Sequence, residues 1–143
     1  MKINDVIHAK SQQAVVTISP DATVRELVAL LAEHNVGALV VSDDGERVSG
    51  IVSERDVVRR LHADDAVMDA PVSMIMTEDV RTCTGSDGLT DLMQTMTEHR
   101  IRHVPVVADG RLTGIISIGD VVKSRIGELE FERDQLDHYV HQT

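Results

Sequence analysis

Two serine–aspartate pairs are the residues whose types and spacing could do chemistry. Ser53 precedes Asp56 and Ser117 precedes Asp120 by three positions each, directly before segments with helical periodicity. In one interpretation each pair is a capping box, in which the serine caps a helix and the acid reaches back to its backbone. In the other, the helix N-terminus and the serine hydroxyl hold a phosphate, while the aspartate accepts from both hydroxyls of a ribose. The two roles are compatible, so both stay open.

Both pairs lie inside a longer internal repeat. The segment GIVSERDVV at 50–58 matches GIISIGDVV at 114–122, and the matching Thr17 and Thr82 lie 65 positions apart. After the Asp-Gly turn of each copy the offset falls to 64, which places the single deletion in a turn. Turns absorb deletions more readily than strands do. The repeat predicts two copies of one small unit, packed around a pseudo-two-fold axis with shared clefts.

Each copy is predicted to fold as β-α-β-β-α, which makes the fold class α/β. The short β segments VVTI and VRT lead into helices, and Thr23 with Glu26 has the spacing of a capping box at the first of them. The dipeptides Asp44-Gly45 and Asp109-Gly110 predict turns between two strands. A second helix then closes each copy.

The domain organisation follows from the repeat. We expect a first unit with the N-terminal segment at 1–61, a linker with a short helix at 62–79, a second unit at 80–125 and a helical tail at 126–143. Apolar residues recur every three or four positions along the end of the chain, interrupted by Arg133: Val122, Ile126, Leu129, Leu136 and Val140. This stripe can dock on the protein's own core or on a second chain, and we favour the second chain.

Composition and charge exclude several classes of protein. The net charge of −10 argues against sequence-independent nucleic-acid binding, and no apolar run is long enough for a membrane span. The single cysteine, Cys83, excludes an internal disulfide and suits a reducing compartment, so we expect a cytoplasmic protein and a small buried thiol. We expect no metal site, because the sequence has no cluster of cysteine and histidine, and neither a nucleophile motif nor a phosphate-binding glycine motif is present.

At this point the chain resembles a known family. Two copies of a strand ending in Val-Val, an Asp-Gly turn and a Gly-h-h-Ser-x-x-Asp motif (h, a hydrophobic residue) before a helix are similar to a tandem pair of cystathionine-β-synthase (CBS) domains, also called a Bateman module. The resemblance covers about residues 1 to 125. It implies two related clefts between the units that bind adenosine ligands such as AMP, ADP, ATP, NAD or S-adenosylmethionine. It also implies association of two modules into a disc-like homodimer.

The resemblance assigns residues to each cleft. In what we call cleft A, the second unit's pair meets the strand start of the first unit, with these residues: Thr17, Ala22, Val36, Gly37, Ala38, Ile115, Ser117 and Asp120. In cleft B the first unit's pair meets the second unit: Ile51, Ser53, Arg55, Asp56, Thr82, Asp87, Ile101, Arg102 and His103. Ile115 and Ile51 would flank the base; the alternative is that Val36, Ile101, Ile51 and Ile115 are simply core residues.

The two clefts differ in charge. Cleft B has Arg55, Arg102 and His103 where cleft A has Gly119, Gly37 and Ala38, and arginine binds phosphate oxygens in a bidentate fork. We therefore expect cleft B to prefer the more phosphorylated ligand, or to receive phosphates from a ligand in cleft A. The alternative is that both arginines are solvated surface charges. Asp87, at the position equivalent to Ala22, departs from the family pattern and would weaken cleft B.

Three functions are weighed on these observations. The favoured one is a regulatory or energy-sensing module that binds an adenine nucleotide and passes its bound state to an unidentified protein partner. The alternative is a dimerisation scaffold without a ligand, in which the Ser-Asp pairs only cap helices. An enzyme is disfavoured, because the sequence supplies neither a nucleophile with its base nor a metal cage.

Overall fold

The structure, a computed structural model, describes residues 1–10 and 15–141. A short helix α1 (Ile3–Ala9) precedes the first repeat, which comprises β1 (Thr17–Ile18), α2 (Val24–His34), β2 (Ala38–Val41), β3 (Gly50–Ser53) and α3 (Glu54–Ala63). Two 3₁₀ helices, Asp65–Asp69 and Val72–Met74, occupy the linker. The second repeat comprises α4 (Leu89–His99), β4 (His103–Ala108), β5 (Arg111–Ser117) and α5 (Ile118–Val140). The predicted α/β class is confirmed, and the predicted β-α-β-β-α order is found in full in the first repeat.

The leading strand is present in the first repeat and missing from the second. In the first repeat β1 pairs in parallel with β2, matching Thr17 to Val40. In the second repeat the predicted VRT strand does not form, and a single parallel bridge joins Cys83 to Val106. Cys83 still exchanges backbone hydrogen bonds with Pro105 and Val107, of 3.0 and 2.8 Å. The parallel strand pairing of the first repeat is therefore reduced, in the second repeat, to a bridge at the single residue Cys83.

The turns and helix starts follow local chemistry. Asp109 and Gly110 both have positive φ, of 53° and 77°, which is the backbone that a tight hairpin between β4 and β5 requires. Thr23 accepts from the Glu26 N–H at 3.1 Å, and the Glu26 carboxylate accepts from the Thr23 N–H at 3.1 Å. The predicted capping box at the start of α2 is therefore present.

Each repeat has its own aliphatic core, and each core also contains a segment from outside that repeat. The first core contains Val72 and Ile75 from the end of the linker. The second core contains Ile3 and Val6 of α1, although α1 lies before the first repeat in the chain. The N-terminal segment, which the sequence analysis grouped with the first unit, thus packs with the second repeat. This exchange brings the end of α1 close to β5 and α5.

Helix α5 crosses position 125 without a break and carries the predicted apolar stripe into the tail. Its 23 residues form one continuous helix from Ile118 to Val140. Val122, Ile126 and Leu129 are about half exposed, at 50%, 51% and 49%. Leu136 and Val140 are also exposed. The stripe therefore faces away from the protein's own core.

Candidate functional site

The capping boxes at α3 and α5 are both formed. At α3 the Ser53 N–H donates to the Asp56 carboxylate at 2.9 Å, and the Asp56 N–H donates to the Ser53 hydroxyl at 3.3 Å. At α5 the equivalent distances between Ser117 and Asp120 are 2.9 and 3.1 Å. The capping interpretation of both pairs therefore holds. Each carboxylate retains acceptor capacity for a ligand, because a carboxylate has about four lone-pair sites.

The strand starts lie beside the helix starts in both repeats. The N–H of Glu54, the first residue of α3, donates to the Gly37 carbonyl at 2.9 Å. The N–H of Ile118, the first residue of α5, donates to the Arg102 carbonyl at 2.8 Å. These equivalent bonds tie the chain entering β2 and β4 to the helix N-termini, where anions bind favourably.

A cavity of about 910 Å³ lies between the two repeats at cleft B. Its lining includes the capping pair and the start of β2 from the first repeat, and the residues entering β4 from the second. Of the residues assigned to cleft B it brings together Ile51, Ser53, Arg55, Asp56, Ile101, Arg102 and His103. The described residues Thr82 and Asp87 are not part of the lining, whereas Gly37 and Ala38, assigned to cleft A, are. The strand starts of both repeats therefore border one cavity.

Arginine is concentrated in this cavity. Besides Arg55 and Arg102, its lining includes Arg59, Arg81 and Arg100, which the sequence analysis did not single out. Arg59 lies one turn after Arg55 on α3, which is a signal the sequence offered. Arg81 lies in the VRT segment at the start of the second unit, and Arg100 ends α4 in the left-handed conformation at φ 54°. Glu54, Asp56 and Asp79 are the acidic residues of the lining.

His103 lies at the boundary between the two predicted clefts. A Cβ on Gly37 would lie 3.3 Å from its Cε1 atom, so the imidazole closely approaches the first repeat's backbone. Burial lowers the pKa of His103 below its ordinary value; the charges of Glu54 and Asp120 oppose that shift, and those of Lys10 and Arg102 reinforce it. The neutral imidazole, which can both donate and accept, is the form favoured in this position.

Cleft A is arranged differently. None of Thr17, Ala22, Val36, Ile115, Ser117 and Asp120 lines the cavity at cleft B. The Asp120 carboxylate instead pairs with the Lys10 ammonium at 2.9 Å. Burial would raise the pKa of Asp120, but hydrogen bonds from the Ser117 N–H and from Lys10 outweigh it and hold that pKa below its ordinary value.

The aliphatic residues assigned to the clefts divide between core and surface. Ala22 packs against the first core and Ile101 against the second. Ile101 therefore fits the core interpretation, and it also lines the cavity at cleft B. Val36 is 38% exposed, so it is not a core residue.

Cys83 is a buried thiol, and burial raises its pKa to about 12. Across the described residues, 1–10 and 15–141, no group of three or more His, Cys, Asp or Glu side chains could hold a metal ion. Within the same ranges, no helix combines the length and apolarity needed to cross a bilayer.

The family model described as "CBS domain" matches residues 4–63 and 72–127. The chain belongs to the CBS-domain family. The two matches coincide with the two repeats, so the chain carries a CBS-domain pair. The resemblance of the Ser-x-x-Asp repeats to such a pair is thereby confirmed.

The similarity to known proteins extends over most of this chain. The mitochondrial CBS domain-containing protein CBSX3 of Arabidopsis thaliana is 37% identical over 96% of this chain and 71% of its own length. The solved structure of the CBS-domain containing protein ATU1752 from Agrobacterium tumefaciens is 42% identical, covers 87% of this chain and 99% of that one, and superposes with a TM-score of 0.83.

A more distant pair has the same fold. The CBS-domain pair of protein MJ0100, solved in complex with 5′-methylthioadenosine and S-adenosyl-L-methionine, is 22% identical. It covers 90% of this chain and 98% of its own, with a TM-score of 0.78. At this identity the comparison concerns the fold alone.

Proposed function

We propose that this CBS-domain pair binds an adenosine-containing ligand such as AMP, ADP, ATP or NAD between its repeats and acts as a regulatory, energy-sensing module. The observation that carries the proposal is the position of Asp56, which belongs to the capping box of α3 and lines an arginine-rich cavity. Such a carboxylate suits a ribose, and the surrounding guanidinium groups suit phosphates.

The charge of the cavity supports a phosphorylated ligand. The chain has a net charge of −10, yet five arginines line this one cavity. Like charges placed together repel, and a bound polyanion would relieve that repulsion. We therefore propose that cleft B takes the phosphates and Ile51 lies against the base. Thr82 and Asp87 are left out of this site because the cavity does not include them.

Regulation requires a ligand that binds two conformations of the protein with different affinity. We propose that the differing conformations are those of a homodimer held together by the exposed stripe of α5, acting on a protein partner in the cytoplasm. The chain itself supplies binding groups and carries no proposed catalytic role. The alternative function, a scaffold that only dimerises, is favoured by the fact that both Ser-Asp pairs serve as helix caps.

Calorimetric titration with AMP, ATP, NAD and S-adenosylmethionine separates the two functions. We expect saturable binding whose cleft B component is lost in Asp56→Asn, with a thermal shift equivalent to about 2.7 kcal/mol at 100 times the dissociation constant. Asp91→Asn, in the first turn of α4 and outside the cavity, is the matched control. Absence of binding by any of the four ligands at millimolar concentration would favour the scaffold.

A further inference from the structure

Lys10 makes the two equivalent carboxylates unequal. Its Nζ atom lies 2.9 Å from Oδ2 of Asp120. No ion pair to Asp56 is found among the described residues, and Asp56 borders the open cavity. The two capping boxes have the same pattern of hydrogen bonds. They differ because a lysine pairs with the carboxylate of Asp120 and not with that of Asp56.

The same ammonium also reaches the strand before α5. Lys10 Nζ donates to the Ile115 carbonyl at 2.9 Å. In the first repeat the equivalent carbonyl of Ile51 accepts from the backbone N–H of Thr77, also at 2.9 Å. A side chain on a flexible stem therefore holds, in the second repeat, an acceptor that backbone pairing holds in the first. A side chain can leave its acceptor by changing rotamers, without unpairing backbone.

The position of Lys10 suits a contact that forms and breaks. Lys10 follows α1 directly as its C-terminal cap, and α1 is anchored in the second core through Ile3 and Val6. The side chains of Lys10 and Asp120 keep 24% and 22% of their accessible surface. Both side chains are therefore partly exposed, so separating the two charges does not leave a fully buried ion without a partner.

We propose that Lys10 is a latch on cleft A: its ammonium occupies the Asp120 carboxylate and the Ile115 carbonyl, and an adenosine ligand binds there only after displacing it. The proposal rests on the proposed function, because it assigns those two acceptors to the ligand's hydroxyls and amino group. It makes cleft B the site that fills first and cleft A the site whose occupancy moves the end of α1.

The latch predicts a tighter cleft A when the ammonium is removed. A site that is open only part of the time binds with an affinity reduced by the open fraction. We expect Lys10→Met to strengthen binding of both adenosine and AMP about three- to tenfold, as for a latch closed most of the time. Titrations in an Asp56→Asn background isolate cleft A. Lys2→Met removes the same charge at the other end of α1 and should leave both affinities unchanged.

Adenosine distinguishes a latch from a phosphate ligand. If Lys10→Met weakens AMP binding and leaves adenosine unchanged, Lys10 binds phosphate and the latch is overturned. Unchanged affinity for both compounds overturns it as well. Lys10→Gln removes the charge but keeps a hydrogen-bond donor, and it should also strengthen the binding of adenosine and AMP. If Lys10→Met does not fold, the affinities of Lys10→Gln test the latch in its place.

Asp120→Asn separates failure of the latch from failure of the proposed function. If this variant abolishes adenosine binding in cleft A while Lys10→Met has no effect, the latch is wrong and the nucleotide site stands. If adenosine and AMP bind with the same affinity whether or not Asp56 and Asp120 are replaced, the proposed function fails and the latch fails with it.

Discussion

The imidazole of His103 in the second repeat packs against the backbone of Gly37 in the first. An added Cβ at residue 37 would lie 3.3 Å from Cε1 and 3.5 Å from Nε2 of His103. It would also lie 3.5 Å from a carboxylate oxygen of Glu54 at the start of α3. The absence of a side chain at Gly37 thus permits a close approach between the repeats at the edge of the candidate site.

The first prediction concerns this contact. Gly37→Ala should push the imidazole away and lower the free energy of unfolding by about 1 kcal/mol, because extra atoms in a packed contact cost roughly that amount. Gly127→Ala on α5, where a Cβ meets open space, is the control and should gain up to about 1 kcal/mol from helix propensity. Urea unfolding measures both. A Gly37→Ala protein more stable than the wild type would contradict the prediction.

The second prediction concerns the arginines of the cavity. Arg102→Gln should weaken ATP binding about tenfold, a loss of about 1.4 kcal/mol, and should change adenosine binding little, because the guanidinium group is assigned to phosphate. The loss should shrink at high salt, which screens exposed charges. Arg25→Gln, an exposed residue of α2 paired with Asp69, is the control and should leave ATP binding unchanged. Equal effects on ATP and adenosine would argue against a phosphate contact.

The third prediction concerns pH. Burial lowers the pKa of His103 in the folded protein, so the unfolded chain takes up a proton first as the pH falls below about 6.5. The stability associated with the neutral imidazole is present above that pH and is lost as the pH falls through the lower, folded pKa. The free energy of unfolding should therefore decline more steeply between pH 7.5 and pH 5.5 in the wild type than in His103→Gln. Parallel curves for the two proteins would refute this assignment.

The fourth prediction concerns the exposed stripe of α5. Leu129→Glu places a charge on the stripe and should convert the proposed homodimer to a monomer in sedimentation equilibrium, because a charge at an apolar helix seam is costly to bury. Gln135→Glu adds the same charge on the opposite face of the helix and should leave the dimer intact. Arg133→Leu, which completes the apolar stripe, should strengthen it. A wild-type protein that is monomeric at micromolar concentration would contradict the dimer itself.

The features that could be predicted from the sequence are those that depend on interactions between residues close together in the chain. Thr23 and the two serine caps form their hydrogen bonds within three residues, so a local motif was sufficient to predict them. The hairpin at Asp109 likewise follows from which residues tolerate positive φ. The predicted VRT strand failed because strand formation depends on a partner, and there only Cys83 forms a bridge with β4.

The amino-acid sequence by itself determined the repeat, the α/β class, the helix starts and the CBS-domain family, because these are written in adjacent or regularly spaced residues. Only the tertiary structure decided which carboxylate borders a cavity and which is covered. Lys10 meets Asp120, and Arg59, Arg81 and Arg100 converge with Arg55 and Arg102, across long stretches of chain. Such meetings arise from how the two repeats and α1 pack, and no periodic pattern along the chain specifies that packing.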